Sequence, residues 1–71
     1  MREPPRKRHL GAEQRRALQL LAGSPFGVSE AVMFANSFTR RMVVGLIRAG
    51  LATARGKTVR ITAEGRRALE G

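Results

Sequence analysis

The sequence predicts a mainly α-helical domain with one small β-hairpin and a short C-terminal helix. Apolar residues recur at helical spacing in three segments before residue 50, and helix-capping residues stand at the ends of those segments. Beyond them, two short segments of alternating character flank Gly56-Lys57. A chain of 71 residues holds one domain at most, and we expect that domain to cover residues 10–71.

The first three helices are predicted from their apolar sides and their caps. At 100° per residue, four apolar residues of the first segment, 17, 18, 20 and 21, share one side, and Gly23-Ser24-Pro25 ends the helix. Ser29 is a suitable N-cap for a short second helix, and Thr39 for a third helix that Gly50 ends. The predicted helices cover residues 12–22, 30–35 and 39–49.

The hairpin and the last helix follow from turn residues. Strands are expected over 51–55 and 58–62, because glycine at the first of two loop positions is typical of a type II′ turn. In the second strand Val59 and Ile61 face one way, and their neighbours face the other. Thr62 then caps a final helical segment over residues 63–70.

The turn between the second and third helices, residues 36–39, has the length of a helix-turn-helix. Four segments resemble the bacterial winged helix-turn-helix superfamily, in style closest to its MarR-like members: GVSEA (27–31), FTRR (38–41), LIRAGL (46–51) and ITAEGRRAL (61–69). The resemblance implies a recognition helix in the major groove of DNA and a wing hairpin over the backbone or minor groove. The two-residue wing turn is shorter than that of many MarR proteins, and their long terminal dimerisation helices are missing.

The charge balance favours a polyanionic partner. Lys and Arg number 14 against five acidic residues, which gives a net charge of +9. All but two of the cations are arginines, whose planar fork suits phosphates and base edges. An arginine-rich genome composition would give the same bias without any function.

Helix three carries the main candidate site. Its inner arc takes Val43, Leu46 and Ile47, with Met42 at the edge, and its outer arc is basic. In a major groove the outer arginines would contact guanine edges or phosphates, and the valine among them a thymine methyl. The alternative is an ordinary solvated helix face. Gly45 lies beside these candidates. Its missing side chain would permit close approach either of a partner or of helix two, and we favour helix two. The candidate residues are Arg40, Arg41, Val44 and Arg48.

Two further groups of cations are candidates for contacts with the DNA backbone. Arg55, Lys57 and Arg60 belong to the hairpin, where they would touch phosphates or simply keep an exposed edge soluble. Residues 1–9 contain two prolines and cannot form a core, so we expect a disordered basic arm. That arm would enter a minor groove or act as a solubilising tail, through Arg6, Lys7 and Arg8.

Helix two motivates an alternative function. We expect Phe34, with the alanines at 31 and 35, to face the core, and Phe38 to pack between helices two and three. Val32 and Met33 would then point elsewhere and form a surface for a protein partner or a weak homodimer. They would alternatively pack under the Pro25-Phe26 loop.

Catalysis and cofactor binding find no support in the residue types. Cysteine is absent, His9 is the only histidine, and the five glutamates are scattered, so neither a metal site nor an acid–base pair is expected. Without Trp or Tyr there is no stacking platform for single strands or RNA. No apolar run approaches the length of a membrane span, and we see no signal peptide. We therefore expect a cytoplasmic, non-enzymatic protein without cofactor, whose partner is double-stranded DNA.

Overall fold

The computed structural model describes residues 10–70, so the predicted basic arm lies outside the described part of the chain. Within it, four helices and three short strands form a mainly helical fold, which confirms the predicted helices and hairpin. None of these helices is long and apolar enough to cross a membrane. In chain order the elements are α1 (Ala12–Ala22), β1 (Val28–Ser29), α2 (Glu30–Ala35), α3 (Arg40–Arg48), β2 (Ala52–Arg55), β3 (Thr58–Ile61) and α4 (Ala63–Glu70).

The predicted caps fix where α2 and α3 begin. Ser29 Oγ accepts a hydrogen bond from the Val32 amide at 3.2 Å, and Thr39 Oγ1 accepts one from the Met42 amide at 3.1 Å. Each bond satisfies an amide that the first turn of a helix leaves without an intrahelical acceptor. Ser37, in the turn between the two helices, has a left-handed backbone conformation with φ 73°.

The strands form one antiparallel sheet in the order β1-β3-β2. In the predicted hairpin Arg55 pairs with Thr58 across a two-residue turn, and Gly56 has φ 64°, as the first central position of a type II′ turn requires. Strand β1 was not predicted. Its two residues form a strand because Val28 pairs with Val59 of β3. Two residues are too few to show a periodic pattern in the sequence.

A single apolar cluster lies between the helices and the inner face of the sheet. Most positions predicted to face inward on α1 and α3 are buried in this cluster. Leu20, Met42 and Ile47 are partly buried and pack against its margin. No polar or charged side chain is buried among residues 10–70, so apolar packing is what stabilises this fold. The buried residues are Ala17, Leu18, Leu21, Val28, Met33, Phe38, Val43, Leu46, Leu51, Ala52 and Val59.

Helix α2 is rotated relative to the prediction. Met33 is completely buried, whereas Phe34 is 41% exposed and Val32 44% exposed, and the two alanines of α2 are exposed as well. The predictions for Met33, Phe34 and the two alanines are therefore wrong, while Phe38 is buried as predicted. The predicted partner surface of Val32 and Met33 is not formed as a pair, because Met33 belongs to the core and only Val32 is exposed. The loop does not cover this pair either, since Phe26 is 88% exposed.

Thr62 and Gly65 attach α4 to the linker between α3 and the hairpin. Thr62 Oγ1 donates a hydrogen bond to the Gly50 carbonyl at 2.7 Å and accepts one from the Gly65 amide at 3.0 Å, as an N-cap does. A methyl group on Gly65 would overlap the Leu51 carbonyl and come within 2.7 Å of Ile61 Cγ1. The helix therefore packs closely on the chain that links α3 to the hairpin.

Candidate nucleic-acid interface

The outer side of α3 is exposed along its whole length. Val43 and Leu46 point into the core, and Met42 and Ile47 form the half-buried edges. All remaining residues of the helix are exposed, including Val44 at 42%. The predicted outer arc is thus confirmed as a solvent-facing surface, formed by Arg40, Arg41, Val44, Gly45 and Arg48.

The arginines on this surface have a defined spacing. Arg41 and Arg48 are seven residues apart, which is almost two turns, so both lie opposite the core at roughly 10 Å separation along the axis. Arg40, Val44 and Arg48 follow one another at four-residue steps and form a row along the helix. Arg48 belongs both to this row and to the pair with Arg41. Between the two ends of the face stand only Val44 and Gly45. The surface therefore has two arginines at its N-terminal end, one at its C-terminal end, and a valine and a glycine between them.

Gly45 faces open space. A Cβ built on it has no atom within 4 Å outside its own helix backbone and its chain neighbours. The expectation that Gly45 admits helix two is therefore wrong, because α2 does not pack on this side of α3.

The hairpin β2–β3, which we term the wing, carries its cations at two places. Lys57 is in the turn itself. Register places Arg55 and Arg60 on the outer face of the sheet, where they pair across the strands with Thr58 and Thr53. All three cations are exposed, as predicted. Thr53 was not predicted as a site residue, although the register of a two-residue hairpin places it beside Arg60.

Two backbone hydrogen bonds hold the wing against the helices. The Glu30 amide donates to the Lys57 carbonyl at 2.9 Å, which ties the turn of the wing to the start of α2. The Leu51 amide donates to the Leu46 carbonyl at 2.9 Å, which ties the residue before the wing to the last turn of α3. The outer surface of α3 and the wing therefore belong to one connected framework, and the wing turn is not a free loop.

One central stretch of the chain contains cations but no carboxylate. Residues 31–63 contain six cations and no carboxylate. Within residues 10–70 the single ion pair joins Arg67 to Glu64 on α4, at 3.5 Å between Nη2 and Oε2. The six cations are thus exposed without a carboxylate partner in the described part of the chain. We call this group the basic surface; it consists of Arg40, Arg41, Arg48, Arg55, Lys57 and Arg60.

The arginines of α1 have a different environment. Arg15 Nη1 donates to the Leu69 carbonyl at 3.4 Å, which links α1 to α4. The guanidinium of Arg16 stands 5.8 Å from the centre of the Phe38 ring, a cation–π distance. Both side chains contribute to the fold and are not part of the basic surface.

The described residues bring together no constellation for metal binding. No three His, Cys, Asp or Glu side chains come together within residues 10–70. The predicted arm residues Arg6, Lys7 and Arg8 lie outside the described range. No protein-family model, curated protein or solved structure matches the chain, so the geometry and charge of the basic surface carry the functional argument.

Proposed function

We propose that this chain is a winged helix-turn-helix domain that binds double-stranded DNA, as a small module of the transcription-regulator kind. The observation that carries the proposal is the basic surface, six exposed cations without carboxylate partners on α3 and the wing. Such a surface attracts the phosphates of a duplex, because each cation that nears a phosphate releases condensed counterions.

The order of elements supports this assignment. Helix α2, a four-residue turn and α3 form the helix-turn-helix, and the wing follows α3 directly. The strand β1 adds a third member to the sheet and, with the bond from Glu30 to Lys57, holds the wing beside the helix-turn-helix. We expect the wing, held in this way, to contact the same ligand as α3.

Helix α3 has the dimensions and chemistry of a recognition helix. A helix with its side chains is about 10–12 Å in diameter, so α3 fits the major groove, which is about 12 Å wide. Arg40 and Arg41 occupy the first turn, the part of a recognition helix that reaches base edges. An arginine there can bond guanine O6 and N7 together, and Val44 can contact a thymine methyl.

The wing and the N-terminal arm would act on the backbone. Lys57 in the turn, with Arg55 and Arg60 on the outer face of the sheet, can contact phosphates and fix the orientation of the domain without reading sequence. Arg6, Lys7 and Arg8 of the arm would add contacts in an adjacent minor groove. The protein-partner alternative loses Met33, which is buried, and keeps only Val32 of its two residues.

The test compares two pairs of arginines that carry equal charge. Arg40→Ala with Arg41→Ala removes the first turn of the proposed recognition helix. The control, Arg66→Ala with Arg67→Ala, removes two exposed arginines from α4. In fluorescence anisotropy with a short random-sequence duplex, we expect the α3 pair to weaken binding at least about tenfold and the α4 pair less than about threefold.

Circular dichroism spectra of both double variants establish that the helices remain. Equal losses from the two pairs would show that net charge alone drives binding and that α3 has no special part in it. Unchanged affinity of the folded α3 variant would remove α3 from the interface.

A further inference from the structure

Gly45 is a glycine in the interior of a helix, where glycine is the least favourable residue apart from proline. The backbone of α3 does not need it, because its φ is not positive. The packing of the domain does not need it either, because a Cβ at this position would meet no other part of the molecule. The fold alone therefore gives no reason for a residue that weakens its own helix.

The other glycines in the described part of the chain have internal reasons. Gly27 and Gly65 have neighbouring atoms where a Cβ would stand, and Gly50 and Gly56 adopt positive φ. The remaining two stand at the ends of α1. Gly45 is the exception among them, and it lies on the outer side of α3 between Arg41 and Arg48.

We propose that Gly45 is the point where the backbone of α3 comes closest to the edges of the base pairs. This inference rests on the proposed DNA binding. A missing side chain at the centre of the face lets the helix lie deeper in the major groove, and glycine is the usual residue where backbone approaches a ligand. The arginines on either side then reach base edges on both sides of that contact. Gly45 is thus a positioning residue for sequence recognition by Arg41 and Arg48.

The proposal predicts opposite effects on stability and on binding. Gly45→Ala and Gly45→Leu insert better helix formers into open space, so the free domain should become more stable, with Tm higher by about 4 °C for alanine. Both side chains would also separate α3 from the bases. Binding to DNA should therefore weaken in order of size, by about fivefold for alanine and more than tenfold for leucine.

The experiment uses the full chain. The wild-type protein first selects duplexes from a random-sequence pool, and the selected pool then serves as the probe for every variant in anisotropy titrations. Thermal unfolding followed by circular dichroism gives Tm of each free variant. Gln19→Leu is the matched control, because it places the same leucine at an exposed interior position of α1. We expect this control to bind the selected pool as the wild type does.

Each other outcome has a definite meaning. If the wild type binds the pool and both Gly45 variants bind it equally well, the close-approach proposal is overturned and DNA binding stands. If Gly45→Ala lowers Tm, the glycine serves the fold and the proposal is overturned as well. If the wild type retains no duplex from the pool, the proposed function itself fails, and the inference about Gly45 fails with it.

Discussion

The wing should determine part of the salt dependence of DNA binding. Each phosphate neutralised by a cation adds about −0.9 to the slope of log affinity against log salt concentration. Lys57→Gln with Arg60→Gln removes two cations of the basic surface, so the slope should become less steep by about 1.8. When salt is raised from 50 to 200 mM, the factor by which affinity falls should then be roughly tenfold smaller for the double variant than for the wild type. This difference holds whatever the N-terminal arm contributes, because the arm is the same in both proteins.

The two substitutions are chosen to leave the fold intact. Arg60 Cγ packs close to Gly27, 2.8 Å from the position that a Cβ on this glycine would take. Glutamine has the same Cβ and Cγ and keeps this contact. At Lys57 the backbone carbonyl, which accepts from the Glu30 amide, is unchanged. The variant should therefore unfold at nearly the same temperature as the wild type.

The assay is a series of anisotropy titrations with one duplex at several salt concentrations. The control, Arg66→Gln with Arg67→Gln, removes the same charge from α4 and should keep the wild-type slope to within about 0.3. A hairpin variant with the wild-type slope would refute the contact between wing and phosphates. A wild-type slope near zero would refute the electrostatic basis of the whole proposal.

Two further predictions concern the packing that positions the basic surface. Met33→Ala should lower the free energy of unfolding by about 2–5 kcal/mol, because it opens a cavity in the core. Phe34→Ala should lower it by less than about 1.5 kcal/mol. Urea unfolding measures both values, and the reverse order would contradict the rotation of α2. Gly65→Ala should cost about 3 kcal/mol in the same assay, since the added methyl group meets the Leu51 carbonyl. Its control is Gly23→Ala, whose Cβ would have ordinary neighbours at 3.7 and 3.8 Å and should change stability by less than about 1 kcal/mol.

The sequence predicts those elements whose signals are local. Thr39 and Gly50 mark both ends of α3, and the contrast between its arginines and its aliphatic residues sets its rotation. The hairpin is fixed by Gly56, and a two-residue turn determines the register that places Arg55 and Arg60 on one face. The exposed candidate residues of α3 and the wing follow from these local rules alone.

The errors arise where the determining contacts are distant in sequence. Helix α2 has six residues, five of them apolar, so no polar side indicates which way it faces. Only packing against the rest of the core selects Met33 as the buried residue. Strand β1 likewise depends on Val59, which lies 31 positions after Val28. The open space at Gly45 has the same origin, because it reflects where α2 lies in three dimensions.

The arrangement of the charges separates a functional explanation from a compositional one. A genome rich in arginine codons would place arginines throughout the chain and would not remove carboxylates from any one region. In the described residues, three of the four arginines on α1 and α4 have an ion-pair, hydrogen-bond or ring partner, namely Arg15, Arg16 and Arg67. None of the six cations of the basic surface has a side-chain partner of any of these kinds within residues 10–70, and all the described carboxylates lie outside residues 31–63. Like charges on one framework repel each other, so this arrangement costs stability unless an anionic ligand neutralises it. Composition accounts for the number of arginines, and the proposed polyanionic ligand would account for the central stretch of cations without carboxylates.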